Sequence, residues 1–294
     1  MLKNIRATNK NGESINFDHR FRITKGLDLS GLSADVNSSQ STGPGSRYQN
    51  TRLKDRDFEV EFKLIRGKSE EYNMDERRKK IYRVFNPELN PIRIDFETSN
   101  RDKYYLITHL EGSPSMPPDT SNNNAAWQRG LLQFHATDPF IYSSQSTVVD
   151  LASWIGNFEF PLEIPEEGIE MGYRSQSLIA NVLNEGQTKT GMIILYKALA
   201  SVSNPSLINV NTYESFKLNV SMIGGDIIEV STYVGKKTVT LIRNNVSTNI
   251  FNSVELSSTF LQLAPGDNLF RYDAETGIDN LEVSMSFINR FVGV

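Results

Sequence analysis

The side chains able to do chemistry are few, and they are scattered along the chain. The three histidines, His19, His109 and His135, stand 90 and 26 residues apart, so no two of them share a helix face as a zinc-binding pair does. A strand or surface role is expected for each. Asp55, Asp57 and Glu59 have the spacing of the first calcium ligands of a helix–loop–helix site, but Val60 replaces the obligatory glycine and Arg66 the closing glutamate. They read as solvent-facing strand residues. Asp95 and Glu97 fall on one face of a strand, as a glycoside-cleaving acid and base would, yet Arg93 shares that face and nothing nearby raises either pKa. A charged outer surface is the better reading. There is no nucleophile elbow, and Gly43-Pro44-Gly45-Ser46 lacks the lysine and following helix of a phosphate loop. Cysteine is absent, which excludes disulfides, thiolate metal sites and cysteine nucleophiles. The expectation is a protein with no catalytic residues, no cofactor and no metal site: not an enzyme.

Composition narrows the partners. The chain has 294 residues and a net charge of −4. Residues 1–150 carry 22 basic and 20 acidic side chains, and residues 151–294 carry 9 and 15. Neither half has the concentrated basic face that counterion release from nucleic acid rewards. The densest basic run, Arg77-Arg78-Lys79-Lys80, follows Glu70, Glu71, Asp75 and Glu76, which is the order a helix dipole favours on a solvated face. No segment approaches the roughly 20 apolar residues of a membrane span, and the opening residues Met1–Arg6 do not read as a signal peptide. No nucleic-acid contact and no membrane are expected.

Apolar alternation dominates the first half. Phe58, Val60, Phe62 and Leu64 interleave with charged residues, as do Ile92, Ile94 and Phe96, and Tyr104, Leu106 and Thr108 extend a neighbouring run. These strands bracket one helix, capped by Asn73 with Glu76 three residues on, carrying an apolar stripe of Ile81, Tyr82 and Phe85, and ending at Asn86-Pro87. Two polar stretches, 30–50 and 113–124, read as exposed loops serving as assembly contacts or disordered arms. A Pro-containing connector runs through Trp154 and residues 158–165. Beyond it come short strands at Leu218–Met222, Ile228–Thr232, Val239–Leu241 and Leu281–Phe287, with Gly224-Gly225-Asp226 and Pro265-Gly266-Asp267 as turns. That spacing indicates an antiparallel β-sandwich. The chain is therefore expected to be mainly β, with domains at 1–145 and 177–294 joined by a connector at 146–176.

The order of these features carries a resemblance. Arg52 and an alternating strand, a charged helix ending Tyr82-Arg-Val-Phe-Asn-Pro87, a strand pair, a Pro-rich polar loop and Leu132-Gln-Phe-His-Ala-Thr-Asp-Pro-Phe140 resemble the N-terminal domain of siphophage distal tail proteins. In the second half, Phe158-Glu-Phe-Pro-Leu162, Asn184-Glu-Gly186, Gly225-Asp-Ile-Ile-Glu-Val230 and Leu263-Ala-Pro-Gly-Asp-Asn268 continue it over nearly the whole chain. The resemblance implies a structural hub at the distal end of the virion's tail: a homo-hexamer ringed through β-sandwich-like N-terminal domains, with galectin-like or jelly-roll C-terminal domains projecting outward. It implies as partners the major tail protein, the tape measure protein, and a tail-associated lysin, fibre or receptor-binding protein. The alternative is a carbohydrate-binding adhesin of a phage or bacterium; Trp127 and Trp154 precede the C-terminal sandwich, which leaves Tyr196, Tyr213, Tyr233 and Tyr272 as its aromatic candidates, with core or interface packing the better reading for them.

Overall fold

The computed structural model describes residues 2–27, 29, 31–66, 73–151, 154–156, 172–174 and 179–294. Residues 158–165 of the expected connector, and Glu70 and Glu71, lie outside the described residues. The chain divides into two compact units, one of residues 1–144 with 291–294, the other of residues 145–290.

The first unit is built on β1 (Lys3–Thr8), β2 (Ser14–Asn16), β3 (Phe21–Gly26), β4 (Ala34–Gln40), β5 (Ser46–Leu53), β6 (Arg56–Ile65), helix α1 (Met74–Val84), β7 (Ile92–Glu97), β8 (Lys103–Leu110), β9 (Trp127–Ala136) and the start of β10 (Ile141–Asp150). Seven strands hydrogen-bond in the order β2-β1-β7-β8-β9-β6-β3, each pair antiparallel. Strand β6 shows why they form a sheet with one buried face. Phe58, Val60, Phe62 and Leu64 are buried while Asp57 and Glu59 are exposed, and each fully buried apolar side chain contributes about 1.5–3 kcal/mol. Arg56 is buried on the same side because its guanidinium donates to Pro139 O at 3.1 Å and to Val292 O at 2.7 Å, which holds the C-terminal residues in this unit.

Helix α1 is capped by the Asn73 side chain, which accepts from the backbone N–H groups of Asp75 and Glu76. Its buried stripe is Ile81, Val84 and Phe85. Tyr82, expected in that stripe, is exposed, because it lies one residue and so about 100° from Ile81 around the helix. The run Arg77–Lys80 is not uniformly solvated either. Arg77 is buried over the Phe21 ring and donates to Ile65 O at 2.6 Å and to Arg20 O.

The second unit contains β11 (Trp154–Gly156), β12 (Gly172–Arg174), β13 (Ile179–Asn184), β14 (Met192–Ala198), β15 (Val202–Asn209), β16 (Ser215–Lys217), β17 (Ser221–Met222), β18 (Ile227–Ser231), β19 (Thr238–Arg243), β20 (Val246–Asn249), β21 (Gly266–Thr276) and β22 (Leu281–Phe291), whose last residue belongs to the first unit. One sheet runs β13-β21-β15-β16, with β17 also on β15, and another runs β22-β14-β18-β19-β20. Ile194, Tyr196, Met285 and Phe287 of one sheet share a core with Leu207, Phe270 and Tyr272 of the other. This is a β-sandwich. The expected strand at Leu218–Met222 is two short strands, β16 and β17, separated by Leu218–Val220 and both paired with β15.

The short motifs are polar groups that lock turns, with Asn184, Asp226 and Asn268 buried and Asn86 and Asp138 half-buried. Asn268 accepts from Ala264 N at 3.0 Å and donates to Ala264 O and Gly266 O, closing the Pro265-Gly266 turn. Asn184 accepts from Gly186 N at 2.9 Å and donates to Leu263 O at 3.1 Å, tying one motif to the next. Asp226 accepts from Ile223 N and from the Arg243 guanidinium. In the first unit Asn86 caps the turn Pro87–Leu89, and Asp138 accepts from Phe140 N and from the Tyr142 hydroxyl. A buried unpaired polar group costs about 1–3 kcal/mol, so these residue types are set by the turns they close.

Candidate assembly surface

Residues 30–50 were expected to be loop, but the structure pairs β4 with β5 as a two-stranded hairpin turning at Gly43-Pro44-Gly45. The pairing register assigns its faces. Ala34 sits opposite Leu53, Val36 opposite Thr51 and, past a bulge, Ser38 opposite Tyr48. Directly opposed residues share a face, so Leu53, Val36 and Tyr48 line one side. The other side holds Asp35 opposite Arg52, Asn37 opposite Asn50, and Ser39 opposite Arg47. Val36 is 64% exposed, Tyr48 61% and Leu53 37%. A two-stranded hairpin is at best marginally stable in water, and this one presents an apolar face together with strand edges open to pairing. At its root Lys54 N donates to Ser33 O at 2.9 Å, and the Lys54 ammonium sits 2.7 Å from the Asp35 carboxylate.

Residues 113–124 do form a loop, but not a disordered arm. Ser115 and Leu131 exchange two backbone hydrogen bonds, Arg129 N donates to Asn122 O at 2.7 Å, and Met116 packs against the core. The Asp119 carboxylate accepts from the Asn122 side chain and from the backbone N–H groups of Ser121 and Asn122, which holds its pKa below the ordinary value. This segment is stitched to β9.

The candidates for chemistry are distributed as follows. Asp95 is paired with Arg93 at 2.7 Å, and the Arg93 guanidinium stacks on Tyr105. Glu97 accepts from Asn4 Nδ2 at 2.6 Å and lies 3.8 Å from Lys103. His19 is exposed in a bend. His109 and His135 are direct partners across β8 and β9, and His135 lies between two carboxylates, with Nδ1 at 2.6 Å from Asp57 and Nε2 at 3.5 Å from Asp55. The hydrogen bond to Asp57 raises the His135 pKa above the usual imidazole value. Sequence spacing missed this grouping, because His135 and Asp57 are 78 residues apart and only the β6–β9 pairing joins them. Of the tyrosines weighed for sugar stacking, Tyr196 and Tyr272 are in the core, Tyr233 is half-buried and Tyr213 is exposed. Trp127 is half-buried, with the Lys63 ammonium 4.2 Å from its ring.

Residues 10–136 match the family described as phage tail protein RIFT-related domain, and residues 185–291 match the siphovirus-type tail component, C-terminal domain. The chain belongs to the siphophage distal tail protein family. A search of curated proteins returned no match. The crystal structure of SPP1 Dit, described as a paradigm of the hub adsorption apparatus in phages infecting Gram-positive bacteria, shares the fold at 13% identity and a TM-score of 0.69, covering 98% of this chain and 100% of that one. Chains of the phage P2 baseplate in its activated conformation are also similar. The calcium form gives 14% identity and a TM-score of 0.53, the strontium form 13% and 0.54, each with full coverage of both chains. This distal tail protein is thus a structural component of the tail tip, located at the distal end of the virion's tail.

Proposed function

We propose that this distal tail protein forms a homo-hexameric ring that joins the tail tube to the host-adsorption apparatus, acting as a scaffold without turnover. The observation that carries the reading is the β4–β5 hairpin, whose Val36, Tyr48 and Leu53 face is exposed among the described residues. Cyclic symmetry lets a single such surface be used by every copy, and a closed ring leaves no hairpin unmatched. In this arrangement the first unit, with the hairpin, carries the ring, and the sandwich of residues 177–294 projects outward. The ring meets the major tail protein above, the tape measure protein in its lumen, and a tail-associated lysin, fibre or receptor-binding protein below.

At about 2 kcal/mol per fully buried apolar side chain, covering the exposed parts of Val36, Tyr48 and Leu53 contributes about 3 kcal/mol per hairpin. Val36 and Tyr48 supply about 2.5 kcal/mol of this, so the double variant Val36→Asp with Tyr48→Asp should weaken association by about fiftyfold or more, read as mass against concentration by sedimentation, while the circular dichroism of the folded chain is retained. An assembly of unchanged mass and affinity in this variant would remove the hairpin from the interface.

A further inference from the structure

The outward face of the first unit's sheet brings together metal-ligating side chains that the assembly reading does not use. Asp57 on β6 and His135 on β9 are direct cross-strand partners, and His109 on β8 is the direct partner of His135 on its other side. Glu111 follows β8 immediately, and its backbone N–H donates to Gln133 O, which fixes it beside β9. Donor atoms of Asp57, Glu111 and His135 all lie within 4.8 Å of one another. We propose that Asp57, Glu111 and His135 form a binding site for a divalent transition metal of the zinc class.

The donor set decides the class. Two carboxylate oxygens and an imidazole nitrogen suit zinc and its neighbours, whereas calcium takes six to eight oxygens. Tetrahedral zinc bonds of about 2.0–2.2 Å set the donors about 3.4 Å apart, so the Asp57 oxygen, 2.6 Å from His135 Nδ1, must draw back slightly while the wider separations close, and the Asp57 and Glu111 side chains, both exposed, are free to turn. The backbone positions need not move, since three hydrogen-bonded strands hold them.

Two further features support the assignment. Nδ1 of His135 faces Asp57 and Nε2 faces Asp55, so when the first nitrogen ligates a metal, the second can donate its N–H to the Asp55 carboxylate. A carboxylate behind the far nitrogen fixes the tautomer and ring orientation in most metal-bound histidines. Independently, Nδ1 of His109 is buried with no hydrogen-bond partner, on the residue directly opposite His135. A buried polar atom left unmatched calls for an explanation, and a metal-bound water beside His135 supplies one. Around His135 the nearest charged partners are carboxylates, Asp57 at 2.6 Å and Asp55 at 3.5 Å, which favours a cation.

The test is zinc titration of the full chain at neutral pH, followed by isothermal calorimetry and by metal content after dialysis, with calcium in a parallel arm. One zinc per chain is expected. His135→Gln and Glu111→Gln should each weaken binding by about tenfold or more, Asp55→Asn by about tenfold as an orienting group, and His19→Gln not at all, with circular dichroism unchanged throughout. Absence of saturable zinc binding, equal affinity in His135→Gln, or an equal loss in His19→Gln would overturn the site and leave an Asp57–His135 ion pair only. Calcium binding that is indifferent to His135→Gln would overturn the nitrogen ligand. None of these outcomes bears on the ring, which is read by mass.

Discussion

Gly130 on β9 faces Phe62 on β6 across the first unit's sheet, and the ring of Phe62 lies over the glycine. A Cβ at position 130 would sit 2.3 Å from Phe62 Cζ and 2.8 Å from both Cε atoms, closer than carbon atoms approach. Phe62 is 1% exposed, so its ring cannot swing into solvent and must be forced off its rotamer or push the strand outward. Overpacking of this kind costs about 1–3 kcal/mol, and Gly130→Ala should lower the stability of the first unit by that amount. Replacing Phe62 by Leu should also destabilise, through lost burial, by less than about 3 kcal/mol. In the double variant the alanine methyl fills space the ring has vacated, so the pair should be more stable than the sum of the two losses by about 1 kcal/mol or more. Urea unfolding followed by Trp127 fluorescence, in a Trp154→Phe background that leaves one reporter on β9, measures all four corners of the cycle. Gly130→Ala at unaltered stability, or strict additivity, would refute the packing argument.

Arg243→Met removes two hydrogen bonds from the guanidinium to the Asp226 carboxylate, at 2.8 and 2.5 Å, and leaves a 1% exposed acid with Ile223 N as its remaining partner; the second unit should lose about 2–3 kcal/mol in denaturant unfolding. Arg243 holds the Asp226 pKa below its unfolded value, so its stabilisation is present above about pH 4 and is lost as pH falls through the folded value; acid unfolding should be shallower in Arg243→Met over that range. Deleting 115–124 should unfold or strongly destabilise the first unit, read by circular dichroism, because the loop's backbone bonds to β9 go with it; a stable, folded deletion would contradict the structure of this segment.

Legibility followed burial. Strands β6, β7 and β8 announce themselves because one face of each enters a core, so apolar residues recur with period two. The β4–β5 hairpin is silent to that reading, since both faces are exposed among the described residues and its Ser, Asn, Gln and Thr residues resemble loop composition. The helix was legible through Asn73 and Ile81, but which aromatic faced the core was not, because Tyr82 and Phe85 differ only in angle around the axis. Arg77 appeared as one more charge in a basic run, and only the carbonyls of Ile65 and Arg20 explain its burial. Nothing in the sequence signalled that residues 291–294 join the first unit, which depends on the Arg56 bond to Val292 O and on Phe291 packing edge-on against Tyr104. The grouping of Asp57, Glu111 and His135 likewise exists only once β6, β8 and β9 pair.

The central claim is a ring of this protein at the end of the tail, and the most direct measurement is electron microscopy of purified tails with an antibody bound to this chain, averaged along the tail axis. Six copies arranged around the axis at the distal end, between the tube and the adsorption apparatus, with the β4–β5 hairpin buried against the neighbouring copy, is the predicted result. Label confined to peripheral fibres, or a density at the tip that holds single copies without rotational symmetry, would contradict it.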